Sequence, residues 1–587
     1  MHYKELVELY EKIESTSKRL EKTYLVSKFL KKTIVSDLSM IILLLQGRIF
    51  PSWDERKIGV ATKMVIKAIS KSTGRSVDTI EETWKKMGDL GRVAEELVKT
   101  KRQVTLFQTE LNVKKVFDNM RKLTTLEGTG SVDHKVGLIS ELLTSASPTE
   151  ARYIVRNVLE DLRVGIGEGI IRDAIVWANF EEEIKVNYDS ETKAITPDDR
   201  EQYNKFVNIV QEAFDVVNDF AKVARIAKEE GVEGLKKLEL SVGNPIKVML
   251  YQKVTVIADA FEKVGKPAAL EFKYDGFRMQ IHKFDGKIIL YTRRLEDVTT
   301  QFPEVVEYVK ENIDADSFIL DSEAVGYDQK TKKYLPFQKI SQRIKRKYNI
   351  GELANQFPVE LNVFDIMNFN GENIIKKPFK FRREILEKII KPVPYKIIYA
   401  KQIITSDEQE AQNFYEEALA AGEEGIMMKN LDGIYKPGSR VGYGVKVKPV
   451  MESLDLVIVA AEWGTGKRGG WLTSYTLACV DPDTGEFLEI GKVGTGIKEL
   501  KEEGTSFGEM TELLKPHIIK EKGREVKIKP VVVIEVNYEE IQHSPNYSSG
   551  FALRFPRLIR LREDRRADEV SDIELIEDLF HSQRGRG

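Results

Sequence analysis

The 587-residue sequence contains a single cysteine, Cys479, and only six histidines. One cysteine excludes an internal disulfide, and the scattered histidines lack the spacing of a zinc site. Long hydrophobic runs are absent: the longest near the N-terminus, residues 40–45, is far shorter than the ~20 residues that cross a bilayer. The N-terminal segment also lacks the apolar stretch of a signal peptide. We therefore expect a cytoplasmic protein without membrane association, whose metal, if any, is a hard ion held by carboxylates and phosphates.

An excess of charge of either sign is also absent, because 91 basic residues face 93 acidic ones. This balance argues against a nucleic-acid partner, but the total hides the distribution. Residues 429–448 hold five basic side chains and one acidic side chain, and a second basic cluster comprises Arg557, Arg560, Arg562, Arg565 and Arg566. Such clusters suit phosphates, although either alone is typical of a solvated surface. Abundant Lys, Arg and Glu with almost no Cys favour a thermophile.

The length of the chain predicts three or four domains, because one hydrophobic core rarely serves so many residues. In the first 240 residues, apolar side chains recur at helical spacing, and Ser147-Pro148 with Glu150 is typical of a helix start. From about residue 241, strands alternate with helices, and Asp285-Gly286 predicts a β-hairpin turn.

After residue 448, short strands separated by Gly and Asp turns are typical of a small β-barrel. We therefore predict a multidomain protein with three parts. These are an all-α domain at residues 1–240, an α+β domain at 241–448 and an OB-fold β-barrel at 449–587.

The segment Glu271-Phe272-Lys273-Tyr274-Asp275-Gly276 carries the first chemical signal. Strand alternation places Glu271 and Lys273 on one face. A lysine there becomes a nucleophile if burial or a neighbouring cation lowers its pKa, and Arg278 is a candidate for that cation. Such a lysine attacks the α-phosphorus of a nucleotide. Alone, the segment is typical of an exposed turn at a strand end.

Further motifs follow Lys273 in a fixed order. They contain Arg293 in YTRRLEDVT, Glu323 in FILDSEAVGYD, Phe364 in NVFDIMNFNG, Glu424 and Lys429 in EEGIMMK, Lys446 and Lys448 in YGVKVK, and RFPRLIRLREDRRADE from Arg554. This ordered set resembles the covalent nucleotidyltransferases, and among them the ATP-dependent DNA ligases of archaea and eukaryotes. The resemblance covers essentially the whole chain, including the helical N-terminal part.

The resemblance implies a role for each motif residue. Lys273 would carry AMP from ATP, Glu271 would read the adenine amino group, and Phe364 would stack on adenine. Phosphates would be held by Arg278, Arg293, Lys429, Lys446 and Lys448. Glu323 and Glu424 would bind Mg²⁺ or Mn²⁺, and Glu323 alternatively the ribose.

The C-terminal motif departs slightly from the family pattern. Arg562-Glu563-Asp564-Arg565 stands where related ligases commonly have Arg-x-Asp-Lys, so Arg562, Asp564 and Arg565 would orient the leaving pyrophosphate with a bulkier cation. Gly444 stands where family members often carry Trp, so an aromatic contribution is lost there.

The resemblance also implies a reaction and partners. A monomer would seal nicked duplex DNA in replication, repair and recombination. Gly165, Gly167 and Gly169 precede a helix whose N-terminus would bind a DNA phosphate; alternatively, these glycines only form a tight turn between two helices. Gln103, Leu106 and Phe107 resemble a shortened sliding-clamp-binding peptide. The alternatives are an RNA ligase, an mRNA capping enzyme, or a non-catalytic DNA- or clamp-binding protein on a decayed ligase scaffold.

Overall fold

The computed structural model describes the chain except residues 55, 57, 101–109, 129, 190, 193–194, 336, 346–349, 439, 450, 466–467 and 584–587. Two compact units form, each from several segments. The first unit comprises Met1–Tyr251, Gly276–Ala400 and Asp432–Val441, and the second comprises Gln252–Asp275, Lys401–Leu431 and Gly442–Gly587. The domain limits at residues 240 and 448 stay predictions.

The first unit opens with consecutive helices, which confirms the helical pattern of the N-terminal part. At the start of the helix Pro148–Val158, the Ser147 hydroxyl accepts the Glu150 N–H (3.4 Å) and the Glu150 carboxylate accepts the Ser147 N–H (2.8 Å), a reciprocal cap. The elements are α1 Tyr3–Glu14, α2 Arg19–Lys32, α3 Val35–Leu45, α4 Thr62–Thr73, α5 Val77–Met87, α6 Leu90–Lys99, α7 Val113–Thr125, α8 Ser131–Ser145, α9 Pro148–Val158, α10 Glu168–Asn179, α11 Glu181–Ile184, β1 Val186–Tyr188, β2 Ile195–Pro197, α12 Arg200–Val217 and α13 Phe220–Lys236.

Strands and helices alternate after α13. The elements are β3 Leu250–Val254, α14 Ile257–Val264, β4 Ala268–Phe272, β5 Phe277–Phe284, β6 Lys287–Thr292, α15 Pro303–Asn312, β7 Phe318–Tyr327, β8 Tyr334–Leu335, α16 Phe337–Lys345, α17 Ile350–Gln356, β9 Val359–Phe369, β10 Glu372–Asn373, α18 Phe379–Ile389, β11 Ile397–Tyr399, β12 Gln402–Thr405, α19 Glu408–Ala420, β13 Ile426–Asn430 and β14 Arg440–Val447.

These elements build two sheets. In the first unit, a sheet with the order β10-β9-β7-β5-β6 packs its apolar residues against α15 and α18. The turn between β5 and β6 has positive φ at Asp285 (47°) and Gly286 (72°), which confirms the predicted hairpin. In the second unit, a five-stranded sheet has the order β12-β4-β13-β14-β3, in which β4 pairs antiparallel with β12 and β13.

The C-terminal part of the second unit is rich in strands, as predicted. The strand Leu454–Trp463 pairs with Val533–Asn537 through its first residues and with Glu525–Ile528 through its last, so two strands share one of its sides. The elements are β15 Leu454–Trp463, β16 Leu472–Val480, β17 Phe487–Val493, α20 Phe507–Leu514, β18 Ile518–Lys522, β19 Glu525–Ile528, β20 Val533–Asn537, β21 Glu540–His543, β22 Phe551–Arg554, β23 Arg557–Leu561 and α21 Ile573–Ser582.

Within the part of the chain that the structure describes, no helix combines the length and apolar composition that a membrane crossing requires.

Candidate active site

One face of the five-stranded sheet collects most of the predicted site residues of the second unit. Glu271 on β4 lies between Gln402 on β12 and Met427 on β13, and Met427 in turn lies opposite Lys446 on β14. Because side chains opposite one another in a sheet project to the same face, Glu271 and Lys446 share that face. Three polar side chains, Gln402, Glu271 and Lys446, therefore share this face, with Met427 between the last two.

Lys273 lies immediately after the end of β4. Its N–H donates to the Gly425 carbonyl and its carbonyl accepts the Glu424 N–H, both at 2.9 Å, so its backbone is fixed as in a strand. A side chain at Gly425 would place its Cβ 2.2 Å from the Val447 carbonyl oxygen, which explains the glycine there. Lys273 Nζ lies 2.6 Å from Glu424 Oε2. A carboxylate, that of Glu424, is therefore one partner of Lys273.

Glu424 also pairs with a second lysine. Lys448 Nζ lies 2.6 Å from the same Oε2 atom, and the Glu424 side chain is only 8% exposed. Burial alone would raise the pKa of Glu424, but the Lys273 and Lys448 ammonium groups outweigh burial and hold it well below its usual range. Burial and the charges of Lys448 and Lys273 lower the pKa of half-buried Lys446. A cluster of lysines that repel one another attracts an anion.

A second buried ion pair lies on the same face. Lys429 Nζ is 2.6 Å from Glu271 Oε2, and both side chains are less than 5% exposed. Gln402 donates from Nε2 to Glu271 Oε1 at 2.9 Å. Both oxygens of the predicted adenine-reading carboxylate therefore have partners, which fixes its orientation.

Arg278, on β5 of the first unit, is engaged by an acidic partner. Its guanidinium contacts both Asp321 oxygens (2.9 and 2.5 Å) and donates to the Met249 carbonyl at 2.8 Å. Tyr435 donates its hydroxyl to Asp321 at 2.7 Å. Burial would lower the pKa of Arg278, but the Asp321 charge prevails and raises it, so the side chain stays a cation. The negative charge of Asp321 thus offsets the positive charge of Arg278, which we expected to act on Lys273.

The remaining predicted residues of the first unit occupy three positions. Glu323 on β7 is half-buried and lies opposite Arg278. A Cβ at Gly276 would lie 2.3 Å from the Ala324 carbonyl oxygen, so glycine is required at this approach. Phe364 on β9 is half-buried, with the Arg278 guanidinium 5.4 Å from its ring centre. Arg293 is exposed in the turn after β6.

The C-terminal arginines follow β23 and contact acidic side chains of the same unit. Arg562 Nη1 lies 2.9 and 2.8 Å from the two oxygens of Asp455 on β15, and its Nε and Nη2 donate to Asp564. Arg562 lowers the pKa of Asp564 to about 2. Arg565 lies with Nε 3.3 Å from Asp455 and is partly exposed, so it remains accessible to an anion.

The glycine-rich segment of the helical part precedes α10, as predicted, except that Gly169 lies inside the first turn of that helix. Gly165 has a φ of 68°, and Lys22 donates to the Val164 carbonyl at 2.6 Å. Glu168, the first residue of α10, pairs with Lys247. Gln103, Leu106 and Phe107 lie outside the described residues.

Sequence reasoning missed several partners of the predicted residues. They are Asp321 and Tyr435 beside Arg278, Gln402 beside Glu271, and Glu423, whose carboxylate accepts the Asp275 N–H at 2.8 Å. Only Glu423 had a local signal, since it directly precedes a predicted residue. No group of three or more His, Cys, Asp or Glu side chains suited to a metal occurs among the described residues.

Comparison with known proteins defines first the class of the chain. Three family models match: "DNA ligase N terminus" at residues 2–176, "ATP dependent DNA ligase domain" at 248–448 and "ATP dependent DNA ligase C terminal region" at 468–565. Together they cover most of the helical part, the cluster of Lys273, Glu424 and Lys448, and most of the strand-rich part. The class is therefore that of ATP-dependent ligases, which are enzymes.

Individual relatives narrow the class. A DNA ligase of Nanoarchaeum equitans (strain Kin4-M) is 48% identical over 587 residues, with 100% of this chain and 99% of the relative covered. A DNA ligase of Thermococcus fumicolans is 41% identical, with 99% of each covered. A solved structure described as "Pmar-Lig_Pre." shares the fold, with a TM-score of 0.57 at 16% identity over 95% of this chain and 99% of that one. The chain belongs to the ATP-dependent DNA ligase family.

Proposed function

We propose that this enzyme seals nicks in duplex DNA through a covalent AMP on Lys273. The lysine nitrogen attacks the α-phosphorus of ATP, an N–P bond forms, and pyrophosphate leaves. AMP then passes to the 5′-phosphate at the nick, and the 3′-hydroxyl displaces AMP to join the strand. The observation that carries the proposal is the Lys273–Glu424–Lys448 cluster, in which one buried carboxylate holds two ammonium groups at 2.6 Å.

Glu424 acts in this scheme by orientation. Because its pKa lies well below the usual range, the carboxylate stays ionised at neutral pH and is a poor acceptor for a proton. It therefore orients Lys273 and does not act as its base; Lys273 attacks as the neutral amine, after its ammonium has released a proton to solvent. Nick sealing on a labelled duplex, with ATP, ADP, GTP and NAD compared in parallel, tests the overall reaction.

The nucleotide-binding roles rest on the resemblance and on the local contacts. Glu271 reads the adenine amino group from an orientation set by Gln402 and Lys429. Phe364 stacks on adenine. Lys429, Lys446 and Lys448 hold the α-phosphate, while Arg278 and Arg293 hold phosphates that include the 5′-phosphate of the nick.

A divalent ion, Mg²⁺ or Mn²⁺, fits the residues present only if phosphates supply most of its ligands. The described residues contain no cluster of three acidic or imidazole ligands, and Mg²⁺ in phosphate-transfer sites is commonly held by one or two carboxylates together with phosphates and water. Glu323 and Glu424 are the candidate carboxylates. The ion would offset the charge of the phosphates.

The C-terminal arginines are assigned to the pyrophosphate leaving group, so Arg565→Ala should slow adenylation from ATP. Loss of one such contact typically costs about a hundredfold in rate. Sealing of a nick that already carries AMP should change by less than about fivefold, because no pyrophosphate leaves in that step. Single-turnover assays from ATP and from pre-adenylated nicked DNA separate the two. Equal loss in both would remove the leaving-group role.

DNA contacts are assigned to the helical part, with its glycine-rich segment before α10 on the duplex backbone. Such binding is independent of sequence, so affinity should fall steeply with salt. The enzyme would work as a monomer in the cytoplasm, in DNA replication, repair and recombination.

The clamp contact is assigned to Gln103, Leu106 and Phe107. Replacing Leu106 and Phe107 by Ala should abolish stimulation of sealing by a cognate sliding clamp and leave basal sealing within about twofold, because two apolar anchors carry most of such a small interface. Thr105→Ala is the matched control. Unchanged stimulation in the double variant would dispose of the contact.

A further inference from the structure

A carboxylate of the strand-rich C-terminal part reaches the lysine cluster of the second unit. Glu539 lies between β20 and β21, and its Oε2 is 3.3 Å from Lys448 Nζ. The backbone fixes this position, because the Glu539 N–H donates to the Arg554 carbonyl at 2.9 Å. The next residue, Glu540, is buried and pairs with Arg554 at 3.1 Å. Glu539 is therefore held beside Lys448 by its own segment.

The charges around Glu539 are mostly positive. Burial alone would raise its pKa, but Lys448 and Lys446 lower it below the usual range, so the carboxylate is ionised. It also acts on Lys253 of β3, where its charge only partly opposes the burial that lowers the pKa of that lysine. Glu424 also contacts Lys448, and its contacts with Lys273 and Lys448 are shorter than the contact between Glu539 and Lys448.

The ionised Glu539 carboxylate lies beside lysines that are assigned to bind the α-phosphate. Like that phosphate, it is an anion, so both can occupy the same cations. We propose that Glu539 is an affinity-determining residue of the adenylation site, which neutralises Lys448 before ATP arrives and competes with the ATP phosphates for it. The proposal rests on the proposed function, in which Lys446 and Lys448 bind the α-phosphate.

The geometry indicates why Glu539, and not Glu424, is the exchangeable partner. The Glu424 side chain is 8% exposed and bridges two lysines, whereas the Glu539 side chain is 36% exposed and contacts Lys448 at a longer distance. A partly exposed ion pair contributes little compared with a buried one, so an incoming polyphosphate displaces Glu539 first.

The test is single-turnover self-adenylation of the full-length enzyme, measured against ATP concentration. Glu539→Gln should lower the half-saturating ATP concentration about two- to fivefold, the range of a partly exposed ion pair, and leave the maximal rate within about twofold. The difference should shrink as salt rises, because salt screens exposed charges. Glu539→Asp keeps the charge but shortens the side chain, so its half-saturating ATP concentration should lie between those of the parent enzyme and Glu539→Gln. This variant provides the test if Glu539→Gln folds poorly.

Glu521→Gln, an exposed carboxylate on β18, is the matched control for loss of one negative charge and should behave as the parent enzyme. A half-saturating ATP concentration that is unchanged or raised in Glu539→Gln would overturn the proposal. A two- to fivefold change in the rate at which Glu539→Gln seals a pre-adenylated nick would also overturn it, since ATP takes no part in that step. Failure of the parent enzyme to adenylate Lys273 would instead refute the proposed function.

Discussion

Lys273→Ala should abolish self-adenylation and sealing from ATP, with a loss of at least about 10⁴-fold in rate. The backbone of Lys273 is fixed by two hydrogen bonds to residues 424 and 425, and its ammonium is aimed by Glu424. Lys448 contacts the same Glu424 oxygen, but its backbone N–H donates to the Val254 carbonyl in another strand, so it lies elsewhere in the sheet. The measurement is single-turnover transfer of labelled AMP to the protein, with folding checked by thermal unfolding.

Lys273→Arg is the matched control for charge and length. It should be equally inactive in adenylation, because guanidinium stays protonated and cannot attack phosphorus. Both variants should retain some sealing of a pre-adenylated nick, which needs no nucleophilic lysine. Protein-bound AMP in Lys273→Ala would show that another residue is the nucleophile.

Glu424→Gln should reduce the rate of adenylation about a hundredfold or more. The amide keeps the shape of the side chain but removes the negative charge that Lys273 and Lys448 share, and misplacing a nucleophile by about 1 Å costs on the order of 10²-fold. The variant should also unfold at a lower temperature, because two largely buried ammonium groups lose their shared partner. Single-turnover adenylation and thermal unfolding measure the two effects.

Glu417→Gln provides the comparison for Glu424→Gln. Glu417 lies on α19 of the same unit and pairs with Lys401 at the surface, so its replacement should leave adenylation within about twofold. A Glu424→Gln enzyme that adenylates within tenfold of the parent would show that the carboxylate does not position the nucleophile.

Local features of the fold could be predicted from the sequence. The helix start at Ser147-Pro148 and the turn at Asp285-Gly286 depend on neighbouring residues, and both occur as predicted. These interactions span a few residues, so the sequence pattern contains them.

Partners distant in the chain could not be predicted in the same way. Asp321 meets Arg278 across 43 residues through the pairing of β5 with β7, and a one-residue change of register would separate them. The same limit applies to Glu424, which was predicted as a metal ligand without the two lysines that it holds. Arg278 was predicted as the cation near Lys273 from sequence proximity, but sheet pairing gives each of them an acidic partner.

The most direct test of the account is to identify the residue that carries AMP. The full-length enzyme is incubated with ATP and a divalent cation, digested under mildly alkaline conditions, and its peptides are mapped by mass spectrometry. The account predicts one adenylated peptide, with AMP on Lys273. AMP on Lys429, Lys446 or Lys448 instead, or no adenylated peptide from an enzyme that seals nicks with ATP, would contradict it.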